Sequence, residues 1–187
     1  MGTAFFHEDD YCQVEVLPAS ARGYCLTEMG RIDEFAEAHW DGAGFTGMYV
    51  RGQPPMPLAS LGTKLAEWEL ALEPLVARFS QVLTGYSSYR EPCTSVVGWG
   101  FSDGQAVFAG VGEGGLVGPV WLSLNGVTAE RVELWSRLLG SLPRAAELVV
   151  ADWNSSQVVS LADEPGLAAY LRGEPDAEPV AAPDPAA

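Results

Sequence analysis

Three cysteines and two histidines are the residues of this chain best suited to nucleophilic or metal chemistry: Cys12, Cys25, Cys93, His7 and His39. A catalytic Cys–His pair needs an activated thiolate. The neighbours of these cysteines are apolar or acidic, and acidic neighbours raise a thiol pKa and weaken the nucleophile. An odd number of cysteines without paired spacing reads as buried, reduced thiols of a cytosolic protein. A zinc site needs closely spaced thiolate or imidazole pairs, and the sequence has none. It also lacks a Walker loop, a G-x-S-x-G elbow and an H-E-x-x-H helix. Gly110-Val-Gly-Glu-Gly-Gly has no following Lys and no helix behind it, so it reads as a hairpin connection. Glu8, Asp9 and Asp10 are adjacent, as are Asp33 and Glu34. Adjacency does not make an acid–base pair, because such carboxylates face each other across a cleft, often from distant positions. No catalytic residue, metal or cofactor is therefore expected.

The charge is more informative. The chain has 25 Asp+Glu against 10 Lys+Arg, a formal net charge of -15, yet 48% of it is apolar. Disordered acidic proteins are poor in apolar residues, so this excess belongs on the surface of a folded body. Such a surface repels nucleic acid and anionic lipid and attracts basic partners. Residues 7–41 concentrate it: Glu8, Asp9, Asp10, Glu15, Glu28, Asp33, Glu34, Glu37 and Asp41 face only Arg22 and Arg31. Concentrated like charge costs self-repulsion that a basic partner offsets. Aromatic anchors inside a charged rim are typical of tight interfaces, and Trp40 beside this acidic run is the candidate anchor. The expected binding residues are thus Glu8, Asp9, Asp10, Asp33, Glu34, Glu37, Trp40 and Asp41.

The elements that must position these residues follow from periodicity. Tyr11 to Leu17 alternates and stops at Pro18, a strand, with Gly23 to Glu28 its possible partner. Ile32, Phe35, Ala36, His39 and Trp40 recur at helical spacing over 31–40, with Asp33, Glu34, Glu37 and Asp41 on the other side and Gly42 and Gly44 at the end. Phe45 to Val50 is a further candidate strand. Leu61, Leu65, Trp68, Leu72, Leu75, Phe79 and Leu83 step by three or four, a helix that Pro74 must kink or break near Ala71 to Glu73. Ser95 to Phe101 and Gln105 to Val111 flank Ser-Asp-Gly, a hairpin, and Pro119 to Leu124 is another strand. Thr128 is placed to cap a helix from Ala129 to about Leu139. Glu147 to Trp153 and Gln157 to Leu161 pair across Asn154-Ser-Ser, and Asp163 caps a last short helix ending at Gly173.

This order predicts an α+β fold: one domain over residues 1–173, a mostly antiparallel sheet with helices packed on one face. Residues 174–187, built of Glu, Asp, Pro, Ala and one Val, are expected to be a disordered acidic tail. The N-terminus has neither a basic nor an apolar leader segment, and no apolar run reaches the ~20 residues a membrane helix needs. A cytoplasmic protein is expected.

A small acidic α+β chain without catalytic residues resembles the immunity proteins of bacterial polymorphic-toxin and type VI secretion systems. Glu147-Leu-Val-Val-Ala-Asp-Trp-Asn, Val158-Val-Ser-Leu and Leu167-Ala-Ala-Tyr-Leu are similar to the C-terminal half of those paired with restriction-endonuclease-like nuclease toxins, and Gly98-Trp99-Gly100 is compatible with that likeness. The resemblance implies a non-enzymatic inhibitor whose partner is a cognate, basic protein toxin, with no nucleic-acid or membrane contact. Nuclease toxins bind a polyanion, so the surroundings of their active sites are basic and open to an acidic inhibitor. Two other expectations compete. A small hydrolase or transferase would show a deep polar pocket with a shifted carboxylate or thiol. A chaperone or adaptor for a secreted effector would dimerise and expose a large apolar groove.

Overall fold

Alternating Val, Leu and Ala runs make the strands, and helical spacing of Leu, Trp and Val makes the helices that cover them. The computed structural model describes residues 2–6, 13–52, 54, 56–85 and 89–174. The expected tail lies, from residue 175 onward, outside the described residues. The chain runs through β1 (Thr3–Phe5), β2 (Val14–Pro18), α1 (Arg22–His39), α2 (Leu65–Leu72), β3 (Ala77–Arg78), β4 (Gln81–Thr84) and β5 (Glu91–Pro92). It continues through β6 (Val96–Gly100), β7 (Ala106–Val111), β8 (Val117–Ser123), α3 (Ala129–Gly140), β9 (Leu148–Asp152), β10 (Gln157–Ser160) and α4 (Glu164–Leu171). The class is α+β.

A 7-stranded sheet has the order β10-β9-β2-β8-β7-β6-β3, and a 3-stranded sheet has the order β1-β4-β5. All pairings are antiparallel except β1 with β4. Because strand side chains alternate, each strand feeds two cores. On one face Val14, Val16, Trp99, Val107, Val120, Val150 and Val159 meet Trp68 and Leu72 of α2, Trp135, Leu138 and Leu139 of α3, and Leu167 and Leu171 of α4. Each fully buried Val or Leu there contributes about 1.5–3 kcal/mol relative to exposure. The helix-on-one-face arrangement expected from the sequence describes these three helices. On the opposite face α1 lies on the β10–β9–β2 end, burying Cys25 and Met29, with Ala21 just before it, against Leu17, Val149, Ala151 and Val158. The small sheet covers the other end, where Ala4, Phe6 and Val82 meet Val96, Ala106 and Phe108. A Cβ on Gly98 would stand 2.9 Å from the Phe108 ring, so glycine at this strand position makes room for the phenylalanine.

One buried polar group ties this frame together. Gln105 accepts from the Trp135 indole N–H at 2.7 Å and donates to the Gly126 carbonyl at 3.1 Å, linking a hairpin end, α3 and the turn after β8. Satisfying both ends lets a buried amide persist in an apolar core.

Several expectations are corrected. Gly23 to Glu28 is helix, not strand, because Cys25, Met29 and Ile32 already follow helical spacing and bury on the sheet. The long helix over 61–83 is confined to Leu65–Leu72. Pro74 does more than kink it: after one more turn the chain leaves as β3 and then β4. Phe45 to Val50 joins no sheet, and only an isolated bridge pairs Phe45 with Trp40. Thr128 stands at the N-cap of α3 without a side-chain cap bond, whereas Asp163 accepts from the Gly166 amide at the start of α4. The glycine-rich segment does join β7 to β8 as an antiparallel pair. Among the described residues, no helix is long and apolar enough to cross a membrane.

Candidate functional site

Four of the nine acids of the run, Glu28, Asp33, Glu34 and Glu37, are carried by α1. A short 3-10 turn, Ala19–Ala21, leads out of β2 into this 18-residue helix. With 100° between successive residues, Asp33, Glu34 and Glu37 fall on its outward side, and all three are exposed. Asp33 lies 3.4 Å from the Ser156 hydroxyl. None of the three forms an ion pair among the described residues, since the nearby Arg31 is committed to Glu28 at 3.0 Å. Glu37 sits in the last turn and Asp41 just beyond it. A helix C-terminus carries partial negative charge, so carboxylates there are disfavoured and cations preferred. Glu37 thus stands where the helix dipole disfavours a carboxylate, and no counter-ion pairs with it among the described residues. Glu8, Asp9 and Asp10 lie outside the described residues.

The helix ends where Trp40 turns extended. Asp41 accepts from the amides of Ala43 and Gly44, both at 2.9 Å, which holds its carboxyl below the usual range. Gly42, at φ +93°, completes this tight turn. Trp40 and Phe45 bridge across it, with ring centroids 5.2 Å apart in an edge-on arrangement. Trp40 therefore stands at the helix end, 54% exposed, and not on a packed helix face.

From there the chain doubles back along one flank of α1 as a strap, residues 45–52. Gly47 passes so close that an added Cβ would stand 3.0 Å from the Phe35 ring. His39 stacks on Phe35 at 3.8 Å and its Nδ1–H donates to the Phe35 carbonyl at 2.9 Å, so the histidine is a packing element. The Tyr49 hydroxyl donates to Glu28 at 2.8 Å, and the Tyr24 hydroxyl donates to the Gly52 carbonyl at 2.5 Å. The Tyr49 hydroxyl, then Arg31 and the Gly52 amide, hold the buried Glu28 carboxyl below its ordinary value. Arg51 donates to Glu15 at 3.1 Å while its guanidinium lies 3.7 Å over the Trp153 ring, and the Trp153 indole N–H donates to the same carboxylate at 2.9 Å. Burial pushes the Glu15 carboxyl up, and Arg51 partly offsets that. What the strap turns outward is apolar: Phe45 is 63% exposed, Val50 81% and Met48 84%. Tyr49 and Arg51 of this strap turn inward onto Glu28 and Glu15, a placement no local pattern announces.

No family model, curated protein or solved structure matches this chain.

Of the residues suited to nucleophilic or metal chemistry, Cys25 and His39 are packed into the structure. Burial, aided by the Glu15 charge, pushes the Cys25 thiol up to about 11, far from a thiolate at neutral pH. The Cys93 sulfur lies 3.6 Å from the Ser95 hydroxyl. His7 and Cys12 lie outside the described residues. Among the described residues, no three His, Cys, Asp or Glu side chains gather where they could hold a metal ion. A cavity of about 430 Å³ opens at one end of the large sheet, lined by Phe108, Trp121, Asp152 and Tyr170 among others. There the Tyr170 hydroxyl donates to Asp152 at 3.0 Å, and burial followed by the Asp152 charge raises its pKa far above neutrality. Asp152 also accepts from the amides of Asn154 and Ser155, so this pair closes a turn and docks α4. α1 carries exposed carboxylates without an ion pair among the described residues on one side, and its end and strap expose aromatic and aliphatic groups; this region is the candidate site.

Proposed function

We propose that this chain is a binding protein that captures a basic protein partner on α1 and its strap, in the manner of a cytoplasmic bacterial immunity protein that silences a cognate toxin. One observation carries the reading: Asp33, Glu34 and Glu37 stand exposed on α1 with no ion pair among the described residues, and exposed Trp40 and Phe45 close the helix end that Glu37 approaches. Clustered carboxylates repel one another, and a cationic partner relieves that repulsion. Long-range attraction speeds capture, and burial of the aromatic corner slows release. A nuclease toxin fits as partner because a protein that grips phosphates surrounds its active site with Lys and Arg. The same acidity disfavours contact with nucleic acid or anionic membrane.

The test is growth rescue in a bacterial host that expresses the toxin gene neighbouring this one. Co-expression of the chain should restore growth, and D33K/E34K/E37K should restore it less. A host that dies equally with and without the chain overturns the reading.

A further inference from the structure

Two of the α1 carboxylates share one stripe of the helix with groups that the fold leaves open. Gly23, Leu26, Gly30, Asp33 and Glu37 step by three or four residues, which stacks them along one side, and all five are exposed. The stripe lies on neither packed flank of α1. Cys25, Met29 and Ile32 face the sheet, while Glu28 and Phe35 face the strap through Tyr49. At 1.5 Å per residue the stripe runs about 21 Å, close to four turns. Its glycines are the unexpected members, because glycine inside a helix is less favourable than alanine. A Cβ at Gly23 or Gly30 would meet no atom within 4 Å among the described residues, and neither glycine has a positive φ. Neither the packing nor the backbone described here calls for glycine at these positions. What the missing Cβ atoms do is leave a recess on each side of Leu26, which is 49% exposed. A ridge between two recesses at this spacing is the surface onto which a second helix packs. One to three turns further on, Asp33 and Glu37 continue the same stripe as charge.

We infer that the stripe from Gly23 to Glu37 is the docking face for an amphipathic, basic helix of the partner. That helix sets apolar side chains around Leu26, brings its backbone close over Gly23 and Gly30, and sets Lys or Arg against Asp33 and Glu37. The charge on the stripe selects a cationic occupant, and the recesses select a helical one. This inference rests on the reading under Proposed function and adds the form of the partner. A second copy of this chain is disfavoured as occupant, because each copy carries a net charge of -15.

The experiment titrates the full, isotope-labelled chain with a helical peptide, three repeats of Leu-Ala-Ala-Lys-Leu-Ala-Lys between acetyl and amide, and follows backbone amides by NMR. Two control peptides accompany it: one with Pro for the second Ala of each repeat, which keeps the charge and forbids the helix, and one with Glu in place of Lys. The expected result is perturbation along Gly23, Leu26, Gly30, Asp33 and Glu37, affinity at least tenfold weaker for the Pro peptide, and no binding of the Glu peptide. Gly30→Gln should weaken binding of the Lys peptide at least tenfold while leaving the thermal midpoint unchanged or raised, which separates blocked docking from lost folding. Equal binding of the Pro peptide overturns the inference, as does perturbation that spares Leu26 and Gly30, undiminished binding to Gly30→Gln, or no binding of the Lys peptide. A dimer of the free chain that Gly30→Gln dissociates would make a second copy the occupant and overturn it too. Growth rescue judges the carboxylate reading separately: rescue that weakens with D33K/E34K/E37K yet persists in full with Gly30→Gln keeps that reading and overturns the docked helix.

Discussion

Arg51→Met should unlatch the strap and reveal what holds it. The guanidinium bonds Glu15 at 3.1 Å and lies 3.7 Å over the Trp153 ring, with the two ionic side chains only 19% and 14% exposed. Removing one partner of a fully buried pair costs about 3–5 kcal/mol, because the other charge is left uncompensated. Some solvent reaches this pair, and the Trp153 indole N–H still donates to the carboxylate, so a loss of about 2–3 kcal/mol is expected at neutral pH. The dependence on pH is the sharper signature. Burial already pushes the Glu15 carboxyl above its ordinary value of 4.5, and Arg51 is the largest influence opposing that. Without Arg51 the folded-state value rises further. A carboxyl with a raised folded value binds its proton more tightly folded than unfolded, so stability falls as pH rises through that window and recovers on acidification. The deficit of Arg51→Met should therefore shrink from pH 7 toward pH 5, and E15Q/R51M should recover most of it at pH 7. Urea unfolding at several pH values, with unchanged slope, measures this. A deficit that stays constant with pH, or that grows in acid, refutes the coupling between Arg51 and Glu15.

Glu28 should behave in the opposite sense. Its carboxyl is held low by the Tyr49 hydroxyl, so its contribution is present above 4.5 and lost as pH falls through the lower folded value. The stability difference between Glu28→Gln and the parent should narrow in acid, as read from unfolding midpoints between pH 7 and pH 3. Trp135→Phe removes the 2.7 Å bond to Gln105 and leaves a buried amide oxygen unpaired, with an expected loss of about 2–4 kcal/mol by urea unfolding. D33K/E34K/E37K should leave thermal stability unchanged or slightly raised, since all three positions are exposed and Glu37 alone lies in the last turn, where a cation is favoured, and calorimetry checks this.

Much of the frame was legible because its signals are local. Alternation with a Ser-Asp-Gly turn marked the β6–β7 hairpin, and the Leu and Trp spacing of α3 marked a helix whose face is buried as expected. What was not legible depended on tertiary contact. Gly23 to Glu28 alone is too short to show a helical period, which appears only when Cys25 is read with Met29 and Ile32 beyond it, all packed on the sheet. Leu75 to Leu83 keeps helical spacing, yet Pro74 ends the ladder and Val82 instead fills the small-sheet core. The acids of α1 could be read as a surface feature from composition. The strap could not, because Phe45 to Val50 gives no sign that Tyr49 and Arg51 find their partners on Glu28 and Glu15.

The association rate of this chain with the basic toxin partner proposed for it, followed by stopped-flow fluorescence across ionic strength, tests the central claim most directly. Capture steered by Asp33, Glu34 and Glu37 predicts a rate that falls steeply from about 10 to about 500 mM salt, and a low-salt rate reduced roughly tenfold or more in D33K/E34K/E37K. Rates that ignore salt and are equal in parent and variant would contradict it.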